Sequence, residues 1–183
     1  MPVLDEVLAH NAGFVEERTK PFGRSPAKKI AIFTCMDTRL VDFLEPAMGV
    51  KRGDAKIIKN AGTTVIDPRG GVIRSLVVAV HALGCEEIFV IGHLDCGMGQ
   101  IDEKKLERKM RASGVSQRAI TELQPSLSEW LGTFKDVYGN LRRVTKIIRQ
   151  NPLIPKSVPV HGLMFDPATG KLEVVVRGAK RGR

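Results

Sequence analysis

The chain has 183 residues and a mass of 20.1 kDa, which predicts one compact domain with room for a buried core. Hydrophobic residues make up 43% of it and charged residues 27%, an ordinary globular composition that excludes wholesale disorder, and no apolar run approaches the about 20 residues of a membrane span. The 29 lysines and arginines outnumber the 20 acidic residues, but no aromatic stacking platform accompanies them, so no specific nucleic-acid partner is expected.

The N-terminal segment, up to about residue 19, predicts an amphipathic helix. Leu4, Val7, Leu8 and Phe14 recur at helical spacing, with charged residues between them. The segment lacks the basic region and the small-residue cleavage site of a secretory signal. We therefore expect a cytoplasmic protein.

Three short apolar segments alternate with helical ones and predict parallel strands. The predicted strands cover residues 28–34, 55–59 and 87–92. Between them the pattern predicts helices over 40–48 and 70–83, the second of which has Gly84 at its C-cap. This alternation predicts an α/β fold with a central, mostly parallel β-sheet flanked by helices.

The second half of the domain is predicted to be helical before it closes with a strand pair. A charged helix is expected near 102–112, and a longer helix begins at the capping box Ser126–Glu129 and continues to about residue 150. Gly132 and Gly139 are the places where the longer helix could break. Its solvated face is expected to carry Arg142, Arg143, Lys146 and Arg149. The closing C-terminal hairpin is expected to pair residues 158–165 with residues 171–176.

The domain is expected to span residues 1–176, followed by a basic tail over 177–183. Four positive charges lie in these last seven residues. A basic tail alone predicts non-specific attraction to phosphate groups.

Three cysteines, Cys35, Cys85 and Cys96, form a sparse and odd set without a Cys-x-x-Cys pair. A disulfide framework is therefore not expected, and metal binding or catalysis stays open. Cys85 precedes the third predicted strand, so at about 3.3 Å per residue it lies about 20 Å from the strand's far end. We interpret Cys85 as a buried thiol.

The other two cysteines and one histidine are predicted to meet at a single edge of the sheet. Cys35 ends the first predicted strand, and His93 and Cys96 follow the third. Ligands bind in open α/β sheets at the carboxyl ends of the parallel strands. Two thiols and one imidazole suit zinc, and three protein ligands leave a fourth position open, as in catalytic sites. A buried core cysteine and an ordinary hydrogen-bonded histidine are the simpler interpretations of each residue alone.

Asp37 and Arg39 lie in the loop beside this predicted site. A carboxylate and a guanidinium two residues apart can form a strong charge-assisted pair. Arg39 could hold Asp37 as a hydrogen-bond acceptor for metal-bound water, or release it to bind the metal, whereas a solvated surface pair is the simpler alternative. Asp95, beside Cys96, is interpreted as the N-cap of a helix.

The spacing of these residues resembles a known family. Cys35-x-Asp37-x-Arg39, followed by Gly92-His93-x-x-Cys96-Gly97, resembles the zinc signature of the β-class carbonic anhydrases. The loop Lys59–Gly62 and the closing segment Val160–Leu172 are also similar to that family, so the resemblance extends over nearly the whole chain. Leu94 stands where many members have Ser or Thr.

The resemblance implies an enzyme that binds one Zn²⁺ per chain through Cys35, His93 and Cys96. It implies that Asp37 and Arg39 form a catalytic pair, and that a homodimer or larger homo-oligomer carries its active sites at the subunit interface. The implied reaction is the reversible hydration of carbon dioxide to bicarbonate and a proton by zinc-bound hydroxide.

Two alternatives stay open at this point. Relatives on the same scaffold hydrolyse carbon disulfide or carbonyl sulfide, and the width of the pocket decides between these substrates and carbon dioxide. A non-catalytic zinc module, regulatory or nucleic-acid-binding, would need a further Cys or His to close the zinc site, and Cys85 is the only spare thiol.

Overall fold

The computed structural model describes residues 3–16, 23–123 and 126–179. Within these ranges the strands are β1 (Ile30–Cys35), β2 (Ala55–Asn60), β3 (Glu87–His93), β4 (Val160–Phe165) and β5 (Leu172–Val176). The α-helices are α1 (Val3–Glu16), α2 (Leu44–Ala47), α3 (Gly71–His81), α4 (Glu103–Ala112), α5 (Gln117–Thr121), α6 (Leu127–Leu131) and α7 (Val137–Gln150). Short 3-10 turns follow β1, β2 and β3, at Thr38–Leu40, Ala61–Thr63 and Gly97–Gln100.

The strands form one sheet in the order β2-β1-β3-β4-β5. Strands β1 to β4 run parallel, and β5 pairs antiparallel with β4. Cys35 pairs with Asn60 and His93 pairs with Phe165, so the carboxyl ends of the parallel strands meet at one edge. The α/β fold with a mostly parallel sheet and a C-terminal hairpin pair, predicted from the sequence, is confirmed.

Both faces of the sheet are buried, because successive side chains of each parallel strand point to opposite faces. On one face, beneath α3 and α7, the core includes Phe33, Leu76, Val90 and Leu141. On the other face it includes Ile32, Leu40, Leu44, Ile91 and Phe165. This two-sided burial explains why the central strands β1 and β3 are apolar runs in the sequence.

The longer helix predicted from Ser126 to residue 150 is broken, and the break lies at Gly132, one of the two glycines at which the sequence allowed a break. The capping box is present, since Ser126 Oγ accepts a hydrogen bond from the Glu129 amide at 3.2 Å, but α6 ends at Gly132. Gly132 has φ +64°, and a Cβ there would lie 3.0 Å from Ile66 Cγ1, so glycine permits this left-handed end. A new helix, α7, begins after Asp136, whose carboxylate accepts from the Tyr138 amide at 2.9 Å.

Other boundaries also differ from the sequence prediction. The helix expected over 40–48 is shortened to α2 and the 3-10 turn before it, and α5 was not predicted. The predicted end of the N-terminal helix near residue 19 and the last four residues of the basic tail lie outside the described residues. Among the described residues, no helix is both long and apolar enough to cross a lipid bilayer.

Candidate metal centre

The structure brings Cys35, His93 and Cys96 together at the carboxyl edge of the sheet. Cys35 is the last residue of β1, His93 is the last residue of β3, and Cys96 stands just before the 3-10 turn Gly97–Gln100. All three are buried, and their sulfur and ring-nitrogen atoms all lie within 4.8 Å of one another. The three residues therefore form a compact group that could hold a metal ion.

The His93 ring is oriented as a metal ligand needs to be. Its Nδ1 lies 2.9 Å from the Leu94 carbonyl oxygen, which can only accept, so Nδ1 carries the proton and donates it there. In the neutral ring Nε2 then carries the lone pair, and this atom is buried without a hydrogen-bond partner. Buried polar atoms are rarely left unpaired, so the orphaned Nε2 beside two thiols fits a coordination bond.

The two thiols have the spacing that zinc requires. Cys35 Sγ and Cys96 Sγ are 4.0 Å apart, and tetrahedral zinc with bonds of about 2.3 Å to sulfur separates two sulfurs by about 3.8 Å. The hydrogen bond from the Cys96 thiol lowers the pKa of Cys35 and raises that of Cys96, because the charge sits on one sulfur of the pair. Two soft sulfurs and one imidazole nitrogen fit a zinc ion.

Asp37 and Arg39 form a doubly bonded ion pair beside this group. Arg39 Nε donates to Asp37 Oδ1 at 3.0 Å, and Nη2 donates to Oδ2 at 2.8 Å. These hydrogen bonds lower the pKa of the Asp37 carboxyl to about 2, so it is ionised at neutral pH. Asp37 Oδ2 also lies 3.7 Å from His93 Nε2, so the carboxylate faces the three candidate ligands.

The interpretation of Asp95 as a helix N-cap is wrong. Cys96, not Asp95, precedes the 3-10 turn, and no side chain caps it. Asp95 instead accepts from Arg39 Nη1 at 3.0 Å through its carboxylate and from Nη2 at 2.8 Å through its backbone oxygen. Its other carboxylate oxygen accepts from Gln100 at 2.6 Å. Asp95 therefore anchors the guanidinium that holds Asp37.

The loop after β2 contributes a backbone donor to the group. The Gly62 amide donates to Cys35 Sγ at 3.3 Å. Gly62 has φ +72°, and a Cβ there would lie 2.7 Å from Met98 Cγ, so this position requires glycine. The glycine at the end of the loop Lys59–Gly62 therefore has a steric reason. The sequence did not indicate that the amide of this glycine contacts a candidate ligand.

Sequence reasoning also missed Asn140, whose amide nitrogen donates to the Gly62 carbonyl at 3.1 Å. The available signal was a polar residue on the apolar stripe of a helix. Arg143 is exposed, as predicted for the solvated face of this helix, but it also has hydrogen-bond partners that the sequence did not indicate. Its guanidinium donates to Val65 O at 3.2 Å and to Asn140 Oδ1 at 3.0 Å, and burial lowers its pKa.

The remaining cysteine and two of the other histidines make contacts that belong to the fold and not to the candidate metal centre. Cys85 lies in the core cluster under α3, apart from Cys35 and Cys96, and burial raises the pKa of its thiol. His81 Nε2 lies 3.0 Å from the Leu153 carbonyl oxygen, and the His161 ring stacks on Phe89 with 4.9 Å between ring centres. Within the described ranges, no further Cys or His joins the three candidate ligands.

Comparisons with known proteins agree with this geometry. A family model described as carbonic anhydrase matches residues 30–172. A Bacillus subtilis relative with carbonic anhydrase in its name is 41% identical over 97% of this chain and 98% of its own length. A carbon disulfide hydrolase from Saccharolobus solfataricus is 30% identical over 92% of this chain and 87% of its own length.

A solved structure extends the agreement to the whole fold. The crystal structure of β-carbonic anhydrase isoform I from Trichomonas vaginalis matches with a TM-score of 0.93 and 39% identity, covering 98% of this chain and all of that one. The range matched by the family model, residues 30–172, spans Cys35, His93 and Cys96. From its sequence, fold and site together, this chain belongs to the β-carbonic anhydrase family.

Proposed function

We propose that this chain catalyses the reversible hydration of carbon dioxide to bicarbonate and a proton, with one zinc ion held by Cys35, His93 and Cys96. The observation that carries this proposal is the orphaned Nε2 of His93, which lies beside two thiols and 3.7 Å from the Asp37 carboxylate. Bound zinc would supply Lewis acidity, which lowers the pKa of a bound water molecule far below its bulk value, to about 7.

Asp37 orients the reacting water in this proposal. Its carboxylate is ionised and can only accept hydrogen bonds. A water molecule beside Asp37 therefore donates one hydrogen bond to the carboxylate. An oxygen lone pair of that water then points away from Asp37, toward the substrate. Such fixed orientation of a nucleophile is a main contribution of an active site to the rate.

Arg39 keeps Asp37 in that role. Both carboxylate oxygens are occupied by the guanidinium, and Asp95 holds the guanidinium from its other side. Asp37 therefore stays turned toward Arg39 and leaves space beside His93 Nε2 for water. Without Arg39 the carboxylate would be free to turn toward the candidate ligands and fill that space.

Apolar side chains of the surrounding core suit an apolar substrate. Met98, Phe134 and Leu163 are partly buried and pack against the core cluster that contains Cys35 and Cys96. Carbon dioxide carries no charge, so a surface that holds few water molecules favours its approach. The same apolar surface would also accept carbon disulfide, which is the second candidate substrate.

Two comparisons bear on the choice of substrate. The relative and the solved structure that carry carbonic anhydrase in their names are 41% and 39% identical to this chain, whereas the carbon disulfide hydrolase is 30% identical. Carbon dioxide is therefore the preferred substrate of the proposal. A non-catalytic zinc module is disfavoured because the described residues supply no additional Cys or His ligand at the centre.

We further propose a homodimer that works in a reducing compartment such as the cytoplasm. On α1, Val3, Leu4, Val7, Leu8 and Phe14 are 57–72% exposed, and a second copy of the chain would cover such a face. Three free cysteines, two of them in contact, suit a compartment that keeps thiols reduced.

Removal and return of the metal test this function. Treatment with a chelator should abolish carbon dioxide hydration, and zinc should restore it while magnesium should not, because the ligands are soft. Hydration that persists in a sample shown to be free of metal would contradict the proposal.

A further inference from the structure

Asn140 is a buried polar residue that needs a structural or functional reason. It lies on α7 with 7% of its surface exposed, beside Leu141 and in line with the apolar face that packs on the sheet. A buried amide must find partners for both its donor and its acceptor end, or it destabilises the fold. The partners of Asn140 therefore indicate what the residue does.

Both ends of the Asn140 amide have partners of fixed character. Its Nδ2 donates to the Gly62 carbonyl oxygen at 3.1 Å, and its Oδ1 accepts from Arg143 Nη2 at 3.0 Å. A guanidinium can only donate and a carbonyl can only accept, so the amide has one permitted orientation. Arg143 is itself held by Val65 O at 3.2 Å. Arg143 thus directs the Asn140 donor at Gly62.

Gly62 connects this chain of hydrogen bonds to the candidate metal centre. Its carbonyl receives the Asn140 hydrogen bond, and its own amide donates to Cys35 Sγ at 3.3 Å. Gly62 has a left-handed φ of +72°. A glycine whose carbonyl is not held could also adopt other backbone conformations. The Asn140 hydrogen bond removes that freedom and keeps the Gly62 amide directed at the sulfur.

We infer that Asn140 is a positioning residue for the metal centre: it holds Gly62 so that the Gly62 amide donates to the Cys35 sulfur, and Arg143 sets the orientation of the Asn140 amide. This inference rests on the proposed function through the role of Cys35 as a ligand. A hydrogen bond to a ligand sulfur changes how strongly that sulfur donates electrons to the metal. Mutation of residues that hold metal ligands in place typically lowers metal affinity or activity by about 10–100-fold.

The chain contains a matched control for this inference. Asn151 follows α7, is 6% exposed, and donates from Nδ2 to the Pro68 carbonyl oxygen at 2.8 Å while its Oδ1 accepts from the Leu153 amide at 3.0 Å. It is the same residue type, equally buried and equally bonded to a backbone carbonyl, but its partners do not contact the candidate ligands. Asn140→Asp and Asn151→Asp each replace the donor nitrogen by an acceptor oxygen and introduce one carboxyl group, with almost no change in side-chain shape.

The test compares these two variants with the wild type in zinc affinity, measured by competition with a chelator, and in the absorption of the cobalt-substituted protein. Asn140→Asp should bind zinc about 10–100-fold more weakly. It should also shift the sulfur-to-cobalt charge-transfer band to lower energy, because the sulfur loses a hydrogen bond. Asn151→Asp should lose thermal stability to a similar extent and leave both affinity and band unchanged.

A second variant covers the case in which Asn140→Asp does not fold. Arg143→Met leaves Asn140 in place but removes the guanidinium that donates to Asn140 Oδ1 and to Val65 O. It should move zinc affinity and the cobalt band in the same direction as Asn140→Asp, by a smaller amount. Wild-type values in both Asn140→Asp and Arg143→Met, or an equal shift in Asn151→Asp, would overturn the inference. A wild type that shows the cobalt band but no carbon dioxide hydration would contradict the proposed function alone.

Discussion

Arg39 donates hydrogen bonds to both carboxylate oxygens of Asp37, from Nε to Oδ1 at 3.0 Å and from Nη2 to Oδ2 at 2.8 Å. Only one residue separates Asp37 from Arg39 in the chain. The same guanidinium reaches Asp95 on the loop after β3. The ion pair thus joins the segment that follows Cys35 to the loop that carries Cys96, and we expect it to be more than a solvated surface pair.

Replacing Arg39 by Ala should separate metal binding from activity. The three candidate ligands are untouched, so zinc content should stay at the wild-type level. Asp37 loses its partner and can turn toward the metal, so carbon dioxide hydration should fall about 10–100-fold. Metal analysis and stopped-flow kinetics on the same sample measure both effects.

Asp37→Ala is the companion variant, because it removes the carboxylate that could fill the site. It should also retain zinc and lose turnover, but water should remain at the metal in its crystal structure, whereas Asp37 should occupy that place in Arg39→Ala. Full activity in Arg39→Ala would show that the pair has no part in the reaction.

The three cysteines should respond differently to substitution. Cys35→Ala and Cys96→Ala each remove one of three donors and should lose most of the metal and nearly all activity. Cys85→Ser places a hydroxyl in the apolar core and should cost about 1–3 kcal/mol of stability, yet retain metal and activity. Metal analysis of the three purified variants checks this. Metal loss in Cys85→Ser with retention in Cys35→Ala would refute the assigned ligands.

Much of this fold could be predicted from local sequence pattern. Apolar runs such as that of β1 are diagnostic because a parallel sheet buries both faces, and the strand ends then placed Cys35 and His93 at one edge. The sequence marked Gly132 and Gly139 as possible breaks of the longer helix but did not decide between them, because the close approach of Ile66 to Gly132 comes from a residue far away in the sequence. A helical period alone cannot report such a contact.

The parts of the site that were missed have a common physical cause. The hydrogen bonds of Asn140 with Gly62 and of Arg143 with Val65 each join residues 78 positions apart. Asp95 was interpreted as a cap because its neighbours in the chain suggested one, while its real partner, Arg39, is 56 positions away. Side-chain roles set by packing between distant elements leave only a weak local signal, such as a polar residue on an apolar stripe.

The exposed apolar face of α1 should matter for assembly. Leu4→Ser with Leu8→Ser places two hydroxyls where the proposed homodimer buries apolar surface, so the mass measured by light scattering should shift toward that of a monomer. Val78→Ser, at a similarly exposed apolar residue on α3, is the matched control and should keep the wild-type mass. An unchanged mass in the α1 variant would contradict this assignment of the dimer surface.

The basic tail over 177–183 should be dispensable for catalysis. Truncation after Val176 removes the hydrogen bond from the Gly178 amide to His161 Nδ1, 3.2 Å long, which lies at the far end of β4 from the site. We expect a loss of about 1 kcal/mol of stability, weaker binding to polyanions, and nearly unchanged hydration. Thermal unfolding, heparin retention and kinetics measure these. A large loss of turnover in a folded protein of unchanged mass would mean that the tail reaches an active site.

The proposed reaction is tested most directly by stopped-flow carbon dioxide hydration with a sample whose zinc content has been measured, and by carbon disulfide hydrolysis assayed on the same sample. We expect about one zinc per chain, bicarbonate formation that scales with zinc content, and little turnover of carbon disulfide. Zinc-loaded protein that hydrolyses carbon disulfide but leaves carbon dioxide at its uncatalysed rate would contradict the proposed function.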